Sequence, residues 1–423
     1  MFVNVALPVI VILGILLTFS FPIYISLLTA TLYLQIFVNE MPLQSVFTGM
    51  FEALNRNSLL AVPFFVVAGN LLATSSLGSR LVNFCSVLLK RTPGGLALSC
   101  IGSNAIFGAI SGSAAAATAT FGKILWTPLR EVYGDQEAAG LITSSSSLSN
   151  IIPPSMSMIV FAIVTETSLA RLFMAGFLPG VLCVAILAVY LRAKYRKDVV
   201  NAAWAPGERS AAVIQAIPAL LLPIIILGGI YGGLCSPTEA GAISAVYATV
   251  VSLFIIRDIN LRQFAQVFLS SAKTIGQVFI LIAASTAFSQ ALTVTQAPRA
   301  LMALMRGLSP GMFLLILNII LLIMGLFFDP GAANLIIAPL LVPIGIALGL
   351  DRVHLGIVFA LNISIGMFTP PFGLSLFVSQ SILERPMALI AKGCLPYFFC
   401  YIIALIIVTY VPQLSLILPR LLI

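Results

Sequence analysis

The chain has 423 residues, 60% of them hydrophobic and 8% charged, with a net charge of +8. No soluble fold hides that much apolar surface, so lipid is the solvent for most of the molecule. The charge is modest and sits mainly in loops, which reads as a membrane-orientation signal and not as a nucleic-acid footprint.

The N-terminal stretch is apolar over residues 3–38 and lacks the basic region and small-residue cleavage site of a secretory signal. It accommodates one tilted helix or two short ones hinged near Phe21-Pro22, and two is the reading preferred. Apolar spans of membrane length follow at residues 56–73, 138–163, 172–194, 211–232, 240–256, 274–296, 353–382 and 386–413. Two other stretches, 96–125 and 311–345, are rich in Gly and Ala and interrupted by polar turns, Ser111-Gly112-Ser113 and Asp329-Pro330-Gly331. A polar turn at mid-membrane is tolerable only where protein or a wet cavity covers its backbone. Both stretches therefore read as re-entrant helical hairpins, the alternative being pairs of ordinary spans joined by surface loops. The six cysteines form no CxxC pair, and His354 is the only histidine, so disulfide frames and zinc-type chemistry have little to work with.

A constant offset of 217 positions relates two parts of the chain. It carries Pro153-Pro154 onto Pro370-Pro371, Gly108 onto Gly325, Ala115-Ala116 onto Ala332-Ala333 and Ser147 onto Ser364. Gly176, Leu178 and Pro179 likewise fall on Gly393, Leu395 and Pro396. An internal duplication with a helix broken at the same place in each copy is the mark of a secondary transporter. The expected fold is an all-α integral membrane protein with two hairpins and two discontinuous helices. Residues 1–50 form N-terminal scaffold helices. A first repeat covers 51–194, with hairpin 96–125 and broken helix 138–163. A basic loop and connecting scaffold helices occupy 195–273. The second repeat is 274–413, with hairpin 311–345 and broken helix 353–382, and 414–423 is a tail. The loop carrying Arg192, Lys194, Arg196, Lys197 and Arg209 is the densest cationic stretch and is expected to be cytoplasmic, as is the segment with Arg257, Arg262 and Lys273. Three full crossings per repeat then make the two copies inverted.

A proline strips the carbonyl four residues earlier of its hydrogen-bond partner. Pro153 and Pro154 are expected to free the carbonyls of Ser149 and Asn150, and Pro370 and Pro371 those of Gly366 and Met367. Bare carbonyls in lipid are costly, and Na⁺ is a fitting partner because it prefers hard oxygen ligands. Ser149, Asn150 and Thr369 add side-chain oxygens. A kink repaired by water or a neighbouring helix is the plainer reading of one such motif, and the symmetric pair is what favours an ion. The second half-helices are expected to start at Ser155 and Phe372, with proline in their first turn, and to turn exposed N–H groups toward an anion. Ser111, Ser113, Ser155 and Thr369 are the candidate substrate contacts, although serine in membrane helices also serves close packing. Asp329 falls at a hairpin tip, where it either ligates Na⁺, orients the tip, relays a proton, or simply caps a helix. Glu166, Glu239 and Asp351 read as loop or interface residues, and Lys90, Arg91, Lys123 and Arg130 as snorkelling or surface charges.

At its motifs the chain resembles the large membrane subunit of tripartite ATP-independent periplasmic (TRAP) transporters. The residues are Pro63-Phe64-Phe65 with Ala68-Gly69, Pro93-Gly94-Gly95-Leu96, the run from Gly108 to Ala114, Ile151-Ile152-Pro153-Pro154-Ser155, Ser236-Pro237-Thr238-Glu239-Ala240, Asp329-Pro330, and Thr369-Pro370-Pro371-Phe372-Gly373-Leu374. The resemblance implies a transport domain moving elevator-fashion in a scaffold, coupled to inward flow of Na⁺, and the doubled break suggests two or more ions. The resemblance also implies a small membrane subunit of about four helices and a periplasmic binding protein that delivers an organic acid. Carried over, Ser111, Gly112, Ser149, Asn150 and Pro153 form one Na⁺ site, and Asp329, Pro330, Gly366, Met367 and Thr369 the other. Two departures stand out: Ala117 where the family commonly has an acid, and Asn70 where Glu is frequent. The function expected is Na⁺-coupled uptake of a small carboxylate (a dicarboxylate, keto acid or sialic acid) across a bacterial inner membrane. No GxxxxGK[ST] loop for ATP occurs. A stand-alone carboxylate carrier without a binding protein is the alternative.

Overall fold

Proline and glycine mark some of the helix ends of this chain, while other prolines, such as Pro218 and Pro223, lie inside helices. The computed structural model describes residues 2–19, 21–196, 205–295 and 308–422, and the regular structure there is helical. Helix α1 (Phe2–Thr18) is separated from α2 (Ile23–Tyr33) at Pro22, so the N-terminal stretch is two helices. A π-helical turn (Leu34–Val38) and α3 (Gln44–Leu54) precede α4 (Ala61–Thr74) and α5 (Leu77–Leu89). The first hairpin is α6 (Gly95–Ser111) and α7 (Ala114–Tyr133). Helices α8 (Asp135–Ser146) and α9 (Leu148–Ile151) lead to a gap, then α10 (Met156–Thr165) and α11 (Leu169–Lys194). After the basic loop, of which Lys197 lies outside the described residues, come α12 (Glu208–Tyr231), α13 (Pro237–Val250) and α14 (Leu261–Val294). The second hairpin is α15 (Pro310–Phe327) and α16 (Pro330–Ala347). Helix α17 (Arg352–Gly366), a second gap, α18 (Leu374–Leu383), α19 (Met387–Tyr410) and α20 (Gln413–Leu422) complete the chain. Among the described residues, 9 helical stretches are long and apolar enough to cross a membrane.

Two expectations need correction. The second half-helices begin at Met156 and Leu374, not at Ser155 and Phe372, and the prolines lie in the gaps before them instead of in their first turns. Ser155 is extended (φ −129°, ψ 134°), and at the second gap the Ser375 N–H reaches back to the Met367 carbonyl, which moves the first helical residue onward. Helix α14 also starts well before residue 274: Asn260 and Gln263 form a reciprocal capping box that launches it from the polar side.

The duplication is visible in the helix bounds. Shifted back by 217 positions, α15 to α19 fall on α6 to α11 with ends that differ by about three residues at most. It is visible in contacts as well. A Cβ on Gly108 would lie 2.7 Å from the Ser149 Cα, and one on the equivalent Gly325 would lie 2.9 Å from the Gly366 Cα. In each copy, glycine lets the first hairpin limb press its backbone onto the broken helix just before the gap.

Helices α2 to α5 pack with α12, α13 and α14 as a frame, and the hairpins, broken helices, α11, α19 and α20 pack with one another as a bundle; the two meet most closely where α5 and α4 lie on α6. Within the bundle, α7 packs on α18 and α10 on α16, so each hairpin grips the broken helix of the other copy. The chain is buried continuously from Ala138 to Ser155 and from Val353 to Phe368. The serine run is satisfied locally: Thr143, Ser144, Ser145 and Ser146 donate to carbonyls three or four residues back. Outer helices instead expose aliphatic side chains, such as Ile214 and Ile224 on α12 and Ile319 and Ile323 on α15, as a lipid-facing surface requires. Near the start of α8, Glu137 accepts from Tyr397 and pairs with Lys194 at 2.7 Å, while Asp135 pairs with Arg385 at 2.6 Å.

Helices α8 and α19 meet at Gly140 and Gly393, where an added Cβ on either would run into the partner helix's backbone. Gly140→Ala is expected to cost about 1–3 kcal/mol of stability through overpacking. Gly228→Ala, with nothing within 4 Å, is expected to be near neutral. Thermal unfolding in detergent, followed by size-exclusion, separates the two.

Candidate functional site

The two gaps lie back to back. Asn150 and Met367, equivalent under the 217-residue shift, touch one another: the Asn150 amide donates to the Met367 sulfur at 2.9 Å. A residue in contact with its own repeat mate marks the local axis relating the copies, so both broken helices crack at one locus.

The first hairpin's tip is set into the first gap. Ser111 ends α6, Gly112 takes a left-handed conformation (φ 59°), and Ser113 caps α7 by accepting the Ala116 N–H. The Met156 N–H donates to the Gly112 carbonyl at 3.3 Å, and the Ala114 N–H to Asn150 Oδ1 at 3.1 Å. The structure thus brings Ser111, Gly112, Ser113, Asn150, Pro153 and Ser155 together. Ser149 is there too, its hydroxyl 3.5 Å from the Asn104 carbonyl. Residues Ile151 to Ser155 are all buried.

The second gap is more open. Thr369 is half-buried, Pro371 and Phe372 are exposed, and the Phe372 ring lies 5.3 Å from that of Phe327 at the second hairpin's tip. Asp329 is exposed and caps α16, with Oδ1 accepting the N–H groups of Gly331 (2.9 Å) and Ala332 (3.2 Å). Capping, the plainest of its expected roles, is therefore real, and it occupies only one carboxylate oxygen. Pro330 follows as the first residue of α16.

Three of the four carbonyls expected to be bare have an internal donor. Asn150 O accepts from the Ser155 hydroxyl (2.5 Å), Gly366 O from the Thr369 N–H (3.0 Å) and Met367 O from the Ser375 N–H (2.9 Å). Hydroxyls and turns near each proline replace the lost helical bond. A carbonyl has two lone pairs, so each still offers one to a ligand. Ser155 and Thr369 are placed differently from the expectation: each spends its proton inside its own gap, Thr369 on Ile365 O at 2.7 Å.

Buried amides are the residues the sequence reading passed over. Asn104 Oδ1, Asn334 Oδ1, Asn362 Oδ1 and Ser147 Oγ are buried without a partner among the described residues. Asn334 reaches from α16 to Ser157 Oγ (3.0 Å) and Ser157 O (2.9 Å), tying the second hairpin to the first broken helix. Their signal was an amide inside an apolar run. Apart from the Asp329 carboxylate the candidate ligands are neutral oxygens, and no cluster of three or more His, Cys, Asp or Glu able to hold a metal occurs among the described residues. Such a set fits a monovalent hard cation better than a transition metal.

An all-helical, lipid-embedded chain, duplicated and cracked at one central locus, defines a membrane transport protein. It belongs to the family "Tripartite ATP-independent periplasmic transporter, DctM component", whose model matches residues 10–414. A relative in Pseudomonas aeruginosa, the C4-dicarboxylate TRAP transporter large permease protein DctM, is 40% identical over 376 residues, covering 88% of each chain. The sialic acid TRAP transporter large permease protein SiaM of Vibrio cholerae is 32% identical and covers 95% of each. In fold, the chain is similar to the YdaH transporter of Alcanivorax borkumensis, with TM-score 0.56 at 14% identity, covering 89% of this chain and 88% of that one.

Gly112 tests the fit of tip and gap, because a Cβ there would sit 2.7 Å from the Pro154 carbonyl on a left-handed backbone. Gly112→Ala is expected to cut uptake in proteoliposomes by at least about tenfold, the equivalent of 1.4 kcal/mol. The protein should still elute as a folded monodisperse species.

Proposed function

We propose that this permease subunit imports a small organic acid across a bacterial inner membrane, driven by an inward Na⁺ gradient. A small membrane subunit of about four helices and a periplasmic binding protein complete the system, as the tripartite family implies. The observation that carries the reading is the meeting of two cracked helices at Asn150 and Met367, each pressed on by a glycine-bearing hairpin limb. One Na⁺ binds at the first tip and gap, through Ser111, Gly112, Ser149, Asn150 and Pro153. Another binds at the second, through Asp329, Pro330, Gly366, Met367 and Thr369, with the free Asp329 oxygen supplying charge. The cargo lies against Ser111, Ser113, Ser155 and Thr369, where the hydroxyls of Ser111 and Ser113 and the neighbouring helix N-termini favour a carboxylate. The relatives' names, C4-dicarboxylate and sialic acid, agree with an anionic cargo. The basic loop with Arg192, Lys194 and Arg209 faces the cytoplasm, the repeats are inverted, and the bundle slides as an elevator within the frame.

The test is uptake by proteoliposomes holding the chain, its small partner subunit and the cognate binding protein. An imposed Na⁺ gradient should drive accumulation and a matched K⁺ gradient should not. Equal uptake in the two would end the Na⁺-coupled reading. Asp329→Asn keeps an oxygen for the α16 cap while removing the charge. It is expected to raise the half-saturating Na⁺ concentration at least about tenfold, with membrane insertion intact. Unchanged Na⁺ activation would remove Asp329 from the ion site.

A further inference from the structure

Five salt bridges occur among the described residues, and only Arg56–Glu166 joins the frame to the bundle. Arg56 precedes α4 in the frame, and Glu166 ends α10 in the bundle. The guanidinium makes two contacts there: Nη2 to Glu166 Oε1 at 3.0 Å and Nη1 to the Ile163 carbonyl at 3.2 Å. The second contact uses the negative end of the half-helix. Arg352 of the bundle donates to the neighbouring Thr165 carbonyl at 2.9 Å, so the same helix end is held once from within and once from the frame.

The 217-residue shift carries Arg56 onto Lys273 of α14, also a frame residue and also a cation. It carries the end of α10 onto the end of α18 with a slip of one residue: Glu166 maps onto Leu383, and the next residue, Glu384, caps α18 as Glu166 caps α10. Glu166 and Glu384 share an uncommon backbone: both are non-glycine residues at positive φ, 54° and 52°. Lys273 and Glu384 are both exposed, and neither enters a salt bridge among the described residues. Each copy thus owns a frame cation and a bundle carboxylate at matching places, and one pair is closed while the other is open.

We propose that these are alternating latches. Arg56–Glu166 holds the bundle in the position seen here, and Lys273–Glu384 closes when the bundle reaches its opposite position. This rests on the sliding-bundle reading above, since an inverted duplication reaches its second state by exchanging the roles of its halves. The closed pair suits a latch and not a permanent bolt. The Glu166 side chain is 70% exposed and that of Arg56 36%, so the pair biases the balance between positions by about fivefold at most.

The experiment uses the full chain reconstituted with its small subunit and binding protein, with the half-exposed Cys235 replaced by Ser and the five buried cysteines retained. One variant carries Arg56→Cys and Glu166→Cys, the other Lys273→Cys and Glu384→Cys, each treated with a short bis-maleimide or an oxidant. The first pair is expected to cross-link at rest and the second only during turnover with Na⁺ and substrate. Either disulfide should depress uptake at least tenfold until it is reduced. Full uptake by the cross-linked first pair, or no cross-linking of the second during turnover, would overturn the latches. Both variants are measured reduced as well. Loss of Na⁺-driven uptake in the unmodified protein would instead strike the transport reading itself.

Discussion

A peptide group in hydrocarbon needs a partner, and this fold is organised around the few places where a helix cannot supply one. Two Pro-Pro pairs interrupt the ladder, and both interruptions are gathered at a single locus, where hairpin tips, hydroxyls and short turns take up the freed groups. Burying those repairs requires helices that touch on every side, which is why α8, α9 and α17 have almost no exposed face. The lipid-facing helices around them are freed from that demand and carry ordinary aliphatic surfaces.

The two copies satisfy the constraint differently. The first gap is sealed, with Asn150 as a bridge between the hairpin tip and the opposite break. The second is more exposed, and its tip carries the acid while its mouth carries the tilted ring pair of Phe327 and Phe372. Duplication produced the same cracks, and later substitutions made one polar and covered and the other charged and accessible. Position 150 shows the divergence in a single pair, an amide facing a thioether.

Much of the architecture was legible because its signals are local and strong. Proline pairs, polar turns inside apolar runs and a gap-free offset place both hairpin turns and both breaks to within a few residues, although the first hairpin runs on to Tyr133 and does not end at residue 125. What stayed hidden depends on contacts that no spacing encodes. That the Ser155 hydroxyl turns back onto Asn150 O, or that Ser375 reaches Met367 O, follows from how the gap folds, so three of the four carbonyls read as bare were not. Asn104, Asn334 and Asn362 stand singly in apolar runs, and only the fold brings them to Ser145, Ser157 and Asn318. The early start of α14 was masked because its first turns are too polar to resemble a span, although the Asn260–Gln263 box was readable.

Helices α8 and α19 approach so closely at Gly140 and Gly393 that no side chain separates them. Two surfaces with main chain against main chain have no soft layer in which to shear, so the halves of the gene duplication are welded at that crossing. On the sliding-bundle reading proposed above, both cracks ride in one vehicle, and a passenger bound at either of them would travel the same distance as a passenger at the other.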